Sequence, residues 1–406
     1  MQTTEKSHTR CLVVGGGPAG MMAGYLLARA GVPVMVLEKH ADFFRDFRGD
    51  TIHPSTLEVM SELGLLDEFL KLPHQELREI RGIFNGNPVP MADFSHLPTH
   101  CKFIAFMPQW DFLNFLAQRG KQFPTFTLRM QHEVVDLLFD KERIVGVRAK
   151  TLEGEKDFFG DLVIGADGRH PVTHTRAKLS LEEFGVPIDV LWMRLSKRPT
   201  DPPQSLGFFR HGKLLVLLDR GDYFQVGFVI PKGGLDELKK RGLPTLHSEI
   251  VQLGPFLQDR ITELDDWKKI RLLTVQINRL KKWCRDGLLC IGDNAHAMSP
   301  AGGVGINLAL QDAVATANLL AVKLRDRPVT VEELSQVQKR REFPVRFIQA
   351  LQVQIHKRIN GRTSGSGDQL PILPRLFLWF PFLRALPARL IGLGPRPEHV
   401  QSPNAF

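Results

Sequence analysis

RCLVVGGGPAGMMAGYLLARAGVPVMVLEK, residues 10–39, carries two kinds of order in thirty positions. The apolar run Cys11 to Val14 predicts a buried strand, the stretch from Pro18 to about Ala30 a helix, and Val34 to Leu37 a second strand. Gly15, Gly17 and Gly20 fall at the strand-to-helix junction as G-x-G-x-x-G, with Pro18 and Ala19 between them. The first glycine permits the turn, the second lets a pyrophosphate approach the backbone, and the third lets helix and strand pack closely. The helix start then offers free N–H groups and a partial positive charge to phosphates. Glu38 ends the second strand at the spacing where an acid hydrogen-bonds a ribose hydroxyl, and Lys39 follows it. Any one of these signals is weak. In this order they predict a dinucleotide-binding β-α-β unit, and the acid at 38 suits FAD or NAD better than NADP.

The rest of the composition narrows the class. A chain of 406 residues predicts more than one domain. Hydrophobic and charged fractions of 43% and 24% are those of a globular enzyme. The net charge of +9 is spread along the chain rather than blocked into a tail, which favours anionic small molecules over nucleic acid. Cys11, Cys101, Cys284 and Cys290 show no CxxC and no metal-ligand spacing, so reduced thiols and no metal site are expected. The first ten residues are polar and hold no signal-like apolar core, and no uninterrupted apolar run reaches spanning length. The expectation is a cytoplasmic protein.

Further along, FRGDTIHPSTLEVMSELGL predicts a loop holding Arg48 and then a helix, and MPQWDFLNFLAQ predicts a helix with Gln109 near its start. HEVVDLLFDKERIVGVRAK alternates as a hairpin and contains Val134. From about Gly185 to Ile277 successive strand patterns predict a mainly antiparallel sheet. The predicted architecture is α/β: a Rossmann-like domain, an inserted antiparallel sheet for substrate, and a helical C-terminal region. The expected boundaries are 1–75, 107–184 and 279–358 for the nucleotide-binding domain with its long helices, 76–106 and 185–278 for the substrate domain, and 359–406 for a linker and apolar tail. No second dinucleotide fingerprint occurs, which disfavours reductases built from two such domains.

Two further motifs complete a pattern: GADGRH at 165–170 and GDNAHAMSPAGGVGIN at 292–307. With GGGPAG at 15–20 they stand in the order of a known signature, and the chain resembles the single-component FAD-dependent aromatic hydroxylases, the superfamily of p-hydroxybenzoate hydroxylase and the ubiquinone-biosynthesis hydroxylases. The likeness runs from about residue 8 to 345. It implies a cofactor-binding set of Gly15, Gly17, Pro18, Ala19, Gly20, Glu38, Lys39, Arg48, Gln109, Val134, Asp167, Asp293, Pro300, Gly303, Val304, Gly305 and Asn307. Within that set it places Arg48 and Gln109 at the phosphates and ribityl chain, Asp293 at the ribityl hydroxyls, and Pro300 beside the reactive face of the ring. Backbone N–H groups from Gly303 to Asn307 meet the pyrimidine edge. The physics of that last placement stands by itself, because a reduced flavin is anionic there and a helix N-terminus stabilises negative charge. His296 belongs to the motif and is expected to be structural. Pro171 and His174 stand where the family carries serine and arginine, and Asn294 stands where alanine is common.

The reaction that the resemblance implies is reduction of FAD by NADPH or NADH, addition of O2 at flavin C4a, and transfer of one oxygen from the hydroperoxide to an electron-rich aromatic substrate. No catalytic acid or base is identified in the sequence. Trp192, Phe208, Phe224 and Phe228 are the substrate-contact candidates, although strand alternation turns only one face of each strand inward. With 27 phenylalanines and 2 tyrosines the pocket is expected to be apolar and the substrate hydrophobic. The tail at 370–400, with Arg375, Arg384 and Arg389 among apolar residues, is weighed between packing on the body and resting peripherally on a membrane. A halogenase should show Trp-x-Trp, which is missing. A flavin-dependent dehydrogenase or double-bond reductase and a non-catalytic FAD-binding protein remain as alternatives.

Overall fold

The computed structural model describes residues 8–44, 51–169, 171–202, 206–360 and 377–406. The opening stretch folds as strand His8–Val14, helix Pro18–Arg29 and strand Val34–Leu37. His8–Val14 pairs in parallel with Val34–Leu37 on one side and with Gly154–Gly165 on the other, placing Leu12 level with Met35 and Val163. Phe126–Arg129 and Leu288–Cys290 extend this parallel sheet at its two ends. The hairpin Glu133–Asp140 and Arg143–Thr151 adds antiparallel strands through Gly154–Gly165. Continuous apolar runs such as Cys-Leu-Val-Val are what a parallel sheet needs, because helices cover both of its faces.

A second sheet draws on two separated parts of the chain. Its order is Arg271–Leu273, Ile188–Ser196, Tyr223–Pro231, Lys213–Asp219, Leu206–Arg210, Glu79–Phe84 and Asn87–Asp93. Every pair is antiparallel except Leu206–Arg210 with Glu79–Phe84. Helix Leu243–Leu253 seals one face, where Leu191, Met193, Phe208, Phe224 and Phe228 pack with Leu246 and Ile250.

Two long helices, Val304–Asp326 and Val331–Asn360, follow the last strand of the first sheet. The segment Ala301–Asp326 is long and apolar enough to cross a membrane, but 78% of its most apolar window is buried inside the protein. It packs against helix Pro18–Arg29 as a core helix. The short helix Ala385–Gly392 docks on the second sheet's edge, with Ala388 and Leu393 buried beside Phe94 and Leu97. All four cysteines are free and buried, and burial pushes the thiols of Cys11 and Cys290 well up. They are small hydrophobes here.

Candidate flavin-binding site

The first element of the site is the turn after Val14. Gly15 has φ +104 and its N–H donates to the Leu37 carbonyl at 2.9 Å. A Cβ on Gly20 would run into the Gly15 carbonyl, so strand and helix touch only because both residues are glycine. Gly17 caps helix Pro18–Arg29 with no side-chain cap, and a Cβ there would meet nothing within 4 Å. The uncapped N–H groups of the first turn therefore open onto free space, which fits a pyrophosphate. Glu38, at the end of strand Val34–Leu37, accepts from Gly16 N–H at 2.8 Å and His40 N–H at 3.0 Å, which fixes its carboxylate beside the glycine turn. Lys39 is exposed beside it. Arg48 lies outside the described residues.

The second motif reaches this turn from the far end of the chain. A Cβ on Gly292 would stand 3.0 Å from Ala19 and 3.2 Å from Ala309, so the loop before Asp293 lies against the phosphate turn. Asp293 is half-buried and accepts from Arg169 Nε at 3.0 Å, while Arg169 Nη2 donates to the Met298 carbonyl at 3.0 Å. Arg169 Nη1 is buried without a partner. The half-buried Asp293 carboxylate keeps acceptor capacity beyond its bond to Arg169, which fits a hydroxylated chain. Gln109 begins helix Gln109–Gly120 and is half-buried, whereas Val134 is buried where its strand pairs with Ala149.

Asp167 turns inward. It accepts from Val172 N–H at 2.7 Å, Thr173 N–H at 3.0 Å, the Thr173 hydroxyl at 2.7 Å and Asn294 Nδ2 at 2.5 Å. Burial raises its pKa and these hydrogen bonds act against that rise. Asn294 spends its amide on Asp167 and Thr173 and offers its oxygen to His174 Nδ1 at 2.8 Å. Two of the three departures from the family pattern, Asn294 and His174, are thus one contact.

Pro300 is half-buried in the loop that opens helix Val304–Asp326. Gly302 and Gly303 follow with φ +81 and +65, and Gly303 caps the helix with no side-chain partner. Its carbonyl accepts from the Thr51 hydroxyl at 3.3 Å, and a Cβ at 303 would collide with that side chain. Val304 and Asn307 are buried, and Asn307 Oδ1 accepts from the hydroxyls of Ser55 and, at 3.1 Å, Thr56. A long helix with a bare N-terminus beside a proline offers N–H groups and positive charge to an anionic ring edge, so these residues fit FAD as the phosphate turn does.

His296 is buried and turned into the interior. Its Nε2 meets Asp312 at 2.5 Å; Asp312 pairs with Arg341 at 3.0 Å, and Arg341 reaches Glu398 at 3.4 Å. Burial works to raise the Asp312 pKa, and His296 and Arg341 hold it below the usual range. This chain of contacts ties the Asp293 loop to both long helices and the C-terminal segment.

The substrate candidates separate by face. Trp192, Gly227, Val216, Gly207 and Gly82 stand level across five strands. Leu191 and Phe228 are level one residue away, on the face sealed by helix Leu243–Leu253. Phe208, Phe224 and Phe228 therefore fill the core behind the sheet, and their expected substrate role is corrected: alternation points them away from Trp192. The Trp192 ring lies across Gly227, those of Phe209 and Phe84 lie over Gly207 and Gly82, and Phe84 and Phe209 stack at 4.6 Å. Three glycines under three rings give this face a flat, apolar floor.

Sequence reasoning missed the buried polar stripe Gln349, Gln352 and His356, whose amides bond to the backbone of residues 278–301 and whose imidazole meets the Ser299 hydroxyl. Its spacing of three and four on an otherwise core-facing helix was the available signal.

Comparison with known proteins agrees with this geometry. Residues 8–349 match the model of the FAD binding domain family. The chain is 31% identical over 339 residues to 6-methylpretetramide 4-monooxygenase of Streptomyces rimosus, covering 82% of this chain and 80% of that protein. PqsL, a probable FAD-dependent monooxygenase from Pseudomonas aeruginosa, superposes with a TM-score of 0.74 at 22% identity, over 88% of this chain and 98% of that one. OxyS anhydrotetracycline hydroxylase from Streptomyces rimosus gives 0.72 at 21%, over 95% and 76%. The glycine turn, the Asp293 loop and the start of helix Val304–Asp326 all fall within the matched residues, and the chain is a member of the FAD binding domain family of flavoprotein monooxygenases.

Proposed function

We propose that this monooxygenase hydroxylates a hydrophobic, planar aromatic compound, with NADPH or NADH as reductant and O2 as oxidant. The observation that carries the reading is that the loop before Asp293 lies against both the glycine turn at Ala19 and helix Val304–Asp326 at Ala309, and the apolar Trp192 face of the second sheet supports a hydrophobic substrate. Bound here, FAD would supply two-electron reduction by the nicotinamide and activation of O2, with one oxygen atom going to the product and the other to water. The chain's own tasks are to hold the cofactor at both ends, supply positive charge at the ring edge and keep water from the reacting face. The name of the Streptomyces rimosus relative supports a polycyclic aromatic substrate, and PqsL has been crystallised with 2-aminobenzoylacetate.

The experiment is to load the protein with FAD and follow NAD(P)H and O2 together over a panel of phenols and fused-ring aromatics. Equal consumption with a hydroxylated product supports the reading. Nicotinamide oxidation without O2 uptake assigns a dehydrogenase or reductase, and no oxidation at all assigns a binding protein.

A cytoplasmic protein that rests peripherally on a membrane is the companion reading. Trp379, Phe382 and Leu386 are 74%, 71% and 65% exposed, beside Arg384 and Arg389 and no acidic residue in 377–396. The opposite side of this segment is docked on Phe94 and Leu97, so packing on the body uses only half of it. Sedimentation of the full chain with anionic liposomes should fall on replacing all three exposed residues by serine; equal binding would remove the membrane from the account.

A further inference from the structure

We propose that Gln352 is a positioning residue for the monooxygenase reaction, holding Pro300 from both sides, and that His356 supports it one turn later. This rests on the placement of Pro300 beside the flavin ring.

The loop at 299–301 has few anchors of its own. Pro300 has no N–H, and its carbonyl is taken by Gly303 N–H at 3.0 Å. Gln352 supplies what is missing. Its oxygen accepts from Ser299 N–H at 3.0 Å, and its amide nitrogen donates to the Ser299 and Ala301 carbonyls, each at 3.0 Å. Both amide hydrogens and the oxygen are used, so one buried side chain spans the proline. His356 Nε2 lies 2.7 Å from the Ser299 hydroxyl, which also accepts from Ala301 N–H at 3.2 Å. Burial lowers the His356 pKa, which keeps the ring neutral.

Simple packing does not call for these residues. The same helix buries Val345 and Ile348 where it needs only volume. A buried amide costs free energy unless every polar group is paired, and here the partners are all backbone groups flanking Pro300. Val353, the next residue, packs against the cluster that also receives Trp192. The helix therefore fixes the Pro300 loop and the substrate floor in one frame.

Gln352→Met keeps the volume and removes all three bonds. Gln349→Met is the control: Gln349 is equally buried and bonds to the Asn278 and Ala297 carbonyls, short of the proline. Three readouts are compared: the FAD dissociation constant, the visible circular dichroism of bound flavin, and the hydrogen peroxide released per NAD(P)H. Both variants should lose similar thermal stability. Gln352→Met alone should weaken FAD about tenfold, alter the flavin dichroism and raise peroxide release several-fold. His356→Leu should reproduce the same changes in smaller measure, and serves if Gln352→Met does not fold. Dichroism and FAD affinity identical in Gln352→Met and Gln349→Met would overturn the proposal. The dichroism needs no turnover, so it reads the loop even if the wild-type protein yields no hydroxylated product, an outcome that counts against the oxygenase reading instead.

Discussion

His174 Nδ1 stands 2.8 Å from the Asn294 side-chain oxygen and 3.0 Å from the Asn294 carbonyl, joining residues 120 positions apart. Both residues depart from the pattern this chain otherwise follows, and each accounts for the other. Asn294 also caps the buried Asp167 carboxylate, so the pair locks the Asp-Gly loop to the Gly-Asp loop. Asn294→Ala and His174→Ala should each cost about 1–2 kcal/mol in chemical denaturation. The double variant should cost less than their sum by at least about 0.5 kcal/mol, and strictly additive losses would show that the contact carries no coupling.

Asp293 and Arg169 pair at 3.0 Å in the loop that Gly292 sets against Ala19 of the glycine turn. Asp293→Ala removes the carboxylate that we propose accepts from the ribityl hydroxyls and leaves a guanidinium with two unpaired nitrogens, one already buried. FAD retention, measured by fluorescence of released flavin, should fall by about tenfold or more. Unchanged retention would refute the role given to Asp293.

Trp192 and Phe228 lie on opposite faces of one sheet, so their alanine variants should fail differently. Phe228→Ala opens a cavity under helix Leu243–Leu253 and should cost about 3–5 kcal/mol of stability while leaving KM unchanged in the folded fraction. Trp192→Ala should raise KM several-fold with little change in FAD affinity. Steady-state kinetics beside a thermal melt separates the two, and a KM that moves with Phe228 instead would reverse the assignment of faces.

His53 is fully buried, with Nδ1 donating to the Ile391 carbonyl at 2.8 Å and Nε2 unpartnered beside Gly303. Burial lowers its pKa from 6.5 to about 4, against smaller opposing effects of the Ile391 and Gly303 backbone. The folded state thus prefers the neutral ring, and the stability this represents is present above pH 6.5 and lost as pH falls toward 4. The loss amounts to about 3 kcal/mol at pH 4. His53→Asn keeps a donor for Ile391 without titrating, so its stability should fall less between pH 7 and 4. Parallel curves for the two proteins would contradict the assignment.

Those parts of the fold that depend on neighbours in sequence were legible in advance. Residues 10–39 read as strand, turn, helix and strand because apolar period and glycine spacing are local properties. What needed a contact between distant segments was not. Asn294 has meaning only beside His174 and Asp167. Alternation puts Phe224 and Phe228 on one face, but only the pairing of Leu191 with Phe228 and the seat of helix Leu243–Leu253 tell which face is core. Gln349, Gln352 and His356 share a helix face, yet the same spacing marks a solvated stripe until the loop they grip is seen.

The central claim is that this chain inserts one atom of molecular oxygen into an aromatic compound at a flavin held between Gly17 and Pro300. Turnover under 18O2 with NAD(P)H, read by mass spectrometry of the product, tests it most directly. The account predicts a product two mass units heavier than that formed under 16O2, with one labelled atom per NAD(P)H oxidised. A product carrying oxygen from water, or formed equally well without O2, would contradict it.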